Sequence, residues 1–86
     1  MNVQSGAGVG IKMFSEALVA IARDDLHGAG ALVSDGYQAS FNALDDMHVH
    51  PARVGELLTI SRDLQAGIHR PNVEQALMGF IRTLGG

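Results

Sequence analysis

Residues with metal-binding side chains crowd into the stretch ALDDMHVHPARV, residues 43–54. They are Asp45, Asp46, His48 and His50. Carboxylate oxygens and neutral imidazole nitrogens together form ligand sets that suit zinc, nickel or iron. On a helix, Asp45 and His48 would be neighbours on one face because they are three residues apart. Asp46 and His50 would share a face only if the helix continued through His50, which the following proline disfavours.

The other interpretation of this stretch is a polar turn between two helices. A closed zinc site needs four protein ligands, so His27 or His69 would have to fold back onto residues 43–54. His50 precedes Pro51 and is therefore biased towards extended geometry, while proline suits the first position of a helix. The spacing favours the turn, and no metal site is predicted.

Three further patterns resemble sites of chemistry. GAGVG, residues 6–10, is glycine-rich like a phosphate-binding loop, but no strand pattern precedes it and no Gly-Lys-Ser/Thr follows it. Ser34 belongs to no recognisable catalytic triad motif. Asp24 and Asp25, next to His27, are typical of a solvated helix face. We therefore predict no catalytic residue, no cofactor and no enzyme activity.

The charge balance argues against binding to nucleic acid. Six Lys and Arg against nine Asp and Glu give a net charge of −3, so phosphate groups and anionic lipids are not attracted in general. Residues 1–50 hold two basic and six acidic side chains, a charge of −4, whereas residues 51–86 hold four basic and three acidic, a charge of +1. These two halves could attract each other within one chain or between copies. The absence of cysteine excludes disulfides and thiolate metal sites.

The amino-terminal sequence MNVQSGAGVGIKMF has no basic segment followed by a long apolar run. Neither a cleavable secretory signal nor a membrane span is therefore expected. The location stays open between the cytoplasm and export without a cleavable signal.

The spacing of apolar residues is helical along nearly the whole chain. Residues 1–10 are predicted to form a flexible leader, and residues 11–86 a single helical domain whose first helix begins at once. HGAG, residues 27–30, is expected to bend or break that helix because an interior glycine costs about 1 kcal/mol relative to alanine. Ser34 or Asp35 would cap the next segment. The apolar stripe of that segment consists of Tyr37, Phe41 and Leu44, with Met47 or His48 as a further member.

The second half predicts two more helices. Pro51 is expected at the start of one, and Arg70-Pro71 marks a further boundary. Asn72 followed by Gln75 resembles a capping box for the last helix. The predicted fold is all-α, a helical hairpin or small up-down bundle with kinked arms and a mobile amino terminus.

The apolar stripes of these last two helices predict a surface for self-association. A two-armed hairpin has too little interior to cover both faces of each arm, so a stripe would remain for a neighbouring subunit. The alternative is that the same stripes form the core of a monomeric four-segment bundle. The predicted interface comprises Val54, Leu57, Leu58, Leu64, Ile68, Val73, Leu77, Phe80, Ile81 and Leu84.

Two segments resemble the small helical subunits of type III secretion machines, namely the needle and inner-rod proteins and the flagellar rod adaptor. HPARVGELLTISRDLQ, residues 50–65, is similar to the central turn of those families, and VEQALMGFIRTL, residues 73–84, to their apolar carboxyl-terminal segment. The resemblance implies export without a cleaved signal, polymerisation and no catalysis. Arg70-Pro71 interrupts a carboxyl-terminal helix that is continuous in needle subunits, and HGAG is expected to break the first arm, which favours a rod-like or merely analogous subunit over a needle subunit.

Three functional hypotheses follow. The first is a non-enzymatic structural subunit that self-associates through its apolar helix faces. The second is a small helical adaptor or chaperone that uses the same surface to bind a different protein. The third is a regulator that responds to metal or pH through His48 and His50. The expected partners are further copies or other protein subunits.

Overall fold

The protein folds into four α-helices in a computed structural model that describes residues 6–86. The helices are α1 (Gly6–Ala22), α2 (Leu26–Asp46), α3 (Pro51–Gln65) and α4 (Val73–Gly85). No strand occurs within residues 6–86, so the all-α prediction is confirmed. Within the same range, no helix has both the length and the apolar character needed to cross a membrane.

The first helix begins earlier than the apolar pattern indicates. Residues 6–10 of the predicted leader form the opening turns of α1, and residues 1–5 lie outside the described part of the chain. Gly10 is buried, and a Cβ atom placed there would lie 2.7 Å from Ser40 Cβ and 3.2 Å from Leu84 Cδ1. Gly10 therefore serves the packing of α1 against α2 and α4.

The break between α1 and α2 lies before HGAG, so the predicted break at residues 27–30 is wrong in position. Asp24 has a left-handed backbone with φ of 62°, which stops α1. Asp25 then caps α2, because its side-chain oxygen accepts a hydrogen bond from the backbone N–H of Gly28 at 3.0 Å. This local capping decides the boundary, and the two glycines fall in the first turns of α2.

Helix α2 continues without interruption past Ser34 and Asp35, so neither residue caps a new segment as predicted. Glycine has a low helix propensity, but tertiary packing outweighs it here. A Cβ atom on Gly30 would lie 2.7 Å from the carbonyl oxygen of Ser61 and 2.9 Å from the backbone nitrogen of Gln65. Only glycine at position 30 allows α3 to approach α2 this closely.

The predicted boundary at Arg70-Pro71 is confirmed, because α3 ends at Gln65 and α4 begins at Val73. The predicted capping box is wrong, since the side chain of Asn72 makes no capping hydrogen bond. The backbone of Asn72 has ψ of 15°, far from the extended geometry that directs a capping side chain back to the first turn.

The core of the domain unites all four helices. Phe14 on α1 and Phe80 on α4 meet with ring centroids 6.2 Å apart, and both rings are buried. The closest helix pairings are α1 with α2, α2 with α3, and α1 with α4, which gives the spatial order α4, α1, α2, α3. The core also contains seven of the residues that were predicted to form the interface: Val54, Leu57, Leu64, Val73, Leu77, Phe80 and Leu84.

Burial of those seven side chains corrects the predicted assembly surface. They cannot shield the core of their own chain and also be free to contact a neighbour. Of the ten predicted interface residues, Leu58 and Ile68 are exposed, and Ile81 is partly buried against the core. No stripe is left over for a neighbour because α1 packs on α4 and α2 packs on α3.

Replacement of Gly30 by alanine tests the close approach of α2 and α3. We expect Gly30→Ala to lower the free energy of unfolding by about 1–3 kcal/mol, because the new methyl group meets backbone atoms that cannot rotate away. The matched control is Gly55→Ala on α3, where a Cβ atom meets nothing within 4 Å. That control should raise the stability by about 0.5–1 kcal/mol through helix propensity. Urea denaturation measures both, and equal effects would contradict the packing role of Gly30.

Removal of the cap on α2 tests why the break lies at Asp25. We expect Asp25→Ala to lower the free energy of unfolding by about 0.5–2 kcal/mol, because the N–H of Gly28 loses its acceptor. Asn72→Ala at the start of α4 is the control, since no side-chain capping bond is lost there. Thermal unfolding followed by circular dichroism compares the two. A larger loss from Asn72→Ala would refute this assignment of the caps.

Candidate interaction surface

The aspartate and histidine stretch forms the predicted turn between α2 and α3. His48 has a left-handed backbone with φ of 60°, and the N–H of Val49 bonds to the carbonyl oxygen of Leu44 at 3.0 Å. His50 caps α3, because its Nδ1 accepts a hydrogen bond from the backbone N–H of Ala52 at 3.0 Å. With Nδ1 as the acceptor, the neutral ring carries its proton on Nε2, so its one free lone pair is used to start a helix.

The histidines are spread over separate places in the fold. His27 Nδ1 lies 3.4 Å from the carbonyl oxygen of Gln65, and His69 bonds to Glu74. Within residues 6–86, no three side chains of the metal-binding types come together as a possible metal site. His27 and His69 do not join His48 and His50, and the hypothesis of a metal-responsive regulator gains no support.

Of the four aromatic residues, Phe14 and Phe80 are buried, Tyr37 is partly buried and Phe41 is exposed. Phe41 on α2 is 46% exposed, and its ring meets that of Tyr37 edge to face with centroids 5.6 Å apart. Tyr37 packs against the core and holds the exposed ring of Phe41 in one orientation. Of the predicted apolar stripe, Leu44 is buried and Tyr37 packs against the core, but Phe41 is exposed because the buried line of α2 passes through the small residues Gly36 and Ser40. In the sequence, the large aromatic residue Phe41 next to the small residue Ser40 was the signal that the small side chain faces the core and the aromatic one does not.

Phe41 and the partly buried Tyr37 lie on the flank of α2 that faces α3. Gly30 lies on this flank because its backbone approaches Ser61 and Gln65 of α3. Tyr37 and Phe41 follow Gly30 by seven and eleven residues, spacings that place them on the same side of the helix. On α3, Leu58 precedes Ser61 by three residues and is 41% exposed. We call the surface formed by Tyr37, Phe41 and Leu58 the aromatic face.

Opposite charges lie at the two ends of the aromatic face. Asp45 is four residues after Phe41 on α2, and Arg62 is four residues after Leu58 on α3. Both are exposed, and neither takes part in the two ion pairs found within residues 6–86. Because α2 and α3 run in opposite directions, the carboxylate and the guanidinium flank the apolar residues from opposite ends. A shallow depression of about 300 Å³ lies beside Leu58 and Arg62.

A second concave surface lies between α3 and α4. Its volume is about 400 Å³, and its apolar lining includes Ile60, Val73 and Ala76. One end is bordered by an ion pair in which Arg70 Nε donates to Asp63 Oδ2 at 2.7 Å. None of the residues lining this groove is aromatic, whereas the aromatic face carries the exposed ring of Phe41.

An ion pair also ties the loop before α4 to its first turn. His69 Nε2 donates to Glu74 Oε1 at 2.9 Å, and this hydrogen bond is the main reason that the pKa of Glu74 is lowered. Partial desolvation acts in the opposite direction and is the smaller effect. Since Glu74 is in the first turn of α4, its negative charge also suits the positive end of the helix dipole.

Comparisons of the chain with protein-family models, curated proteins and solved structures gave no match. The resemblance to type III secretion subunits is therefore neither supported nor refuted and stays a prediction. Any functional argument has to begin from the surfaces of this chain itself.

The lowered pKa of Glu74 gives a pH-dependent stability. A carboxylate whose pKa is lower when folded stabilises the protein above its unfolded pKa, near 4.5, and this stabilisation is lost as the pH falls through the lowered value. We expect Glu74→Gln to remove this acid-dependent change in the free energy of unfolding, which is below about 1 kcal/mol for so exposed a pair. Thermal unfolding against pH measures it. Glu56→Gln, which removes an exposed glutamate outside the two ion pairs, should retain the acid-dependent change, and its loss in this control would contradict the assignment to Glu74.

Proposed function

We propose that this chain is a non-enzymatic interaction domain that binds a protein through the aromatic face. The observation that carries the proposal is the edge-to-face pair of Tyr37 and Phe41, with Phe41 46% exposed. Aromatic side chains held in one orientation lose little conformational freedom on binding and are enriched at protein interfaces.

The completeness of the core supports this choice of surface. The core is enclosed without Phe41 or Leu58, because its large side chains are already buried: Phe14, Phe80, Leu57, Leu64, Leu77 and Leu84. Leu58, on the next helix, widens the apolar area that a partner could cover. Burial of apolar surface on binding contributes roughly 25 cal/mol per Å² before the costs of association are subtracted.

The proposal keeps the element common to the first two functional hypotheses, which is binding through an apolar surface, and assigns that binding to a different surface. Both self-association and binding as an adaptor require an exposed apolar area, and of the ten residues predicted for it Leu58 belongs to the aromatic face. A role as a rod or needle subunit rests on the sequence resemblance alone, and nothing in the fold adds to it.

Photo-crosslinking from the aromatic face tests the proposal. We expect benzoylphenylalanine at position 41 to give crosslinked protein adducts in cells that produce the chain, because a bound partner covers this ring. The matched control places the same group at position 19, since Val19 on α1 is 51% exposed but lies outside the aromatic face. Adducts from position 41 that greatly exceed those from position 19 are expected. Equal yields, or no adduct from position 41, would overturn the proposal.

A further inference from the structure

We draw no further inference here: the strongest candidate, the groove of about 400 Å³ between α3 and α4 lined by Ile60, Val73 and Ala76, carries nothing because it is an open apolar surface and nothing in the structure shows what covers it.

Discussion

The backbones of α2 and α3 approach each other where Gly30 meets Ser61, and the register of the two helices follows from that contact. A Cβ atom at position 30 would lie 2.7 Å from the Ser61 carbonyl oxygen, so no other residue type fits without movement of a helix. Ser61 Oγ also donates to the carbonyl oxygen of Gly30 at 2.7 Å inside the core. Gln65 Nε2 then donates to Ser61 Oγ at 2.9 Å, so the buried hydroxyl is fully bonded. The positions of Leu58 and Arg62 beside α2, and with them the aromatic face, depend on this register.

Much of the fold was predictable because helical periodicity and proline placement are local signals. The turn before Pro51 and the boundary near Pro71 were found from the sequence because proline removes a backbone donor and restricts the preceding residue. The break between α1 and α2 was predicted at the wrong position because the prediction rested only on the low helix propensity of glycine. Gly28 and Gly30 are helical since the cap at Asp25 and the contact with α3 outweigh that propensity.

The candidate surface was harder to predict than the fold. An apolar stripe looks the same in sequence whether it faces the core of its own chain or another chain, so Leu77 and Phe80 were assigned to an interface although they are buried. The opposite error concerned Phe41, which shares a helix with a buried line of small residues. Which side of a helix is covered depends on the neighbour that covers it, and that information is not local. The turn at the aspartate and histidine stretch was easier to predict, because capping by His50 is completed within three residues.

The spatial order α4, α1, α2, α3 has a consequence for how the domain forms. The pairs α1 with α2 and α2 with α3 join elements that follow each other in the chain, so they close short loops. Packing of α4 on α1 has to bring together elements separated by residues 23–72, which carries a larger loop-closure entropy. The first three helices can therefore assemble early, with Phe14 left uncovered until Phe80 arrives. We expect α4 to dock after the first three helices, because its contact with α1 closes the longest loop of the domain.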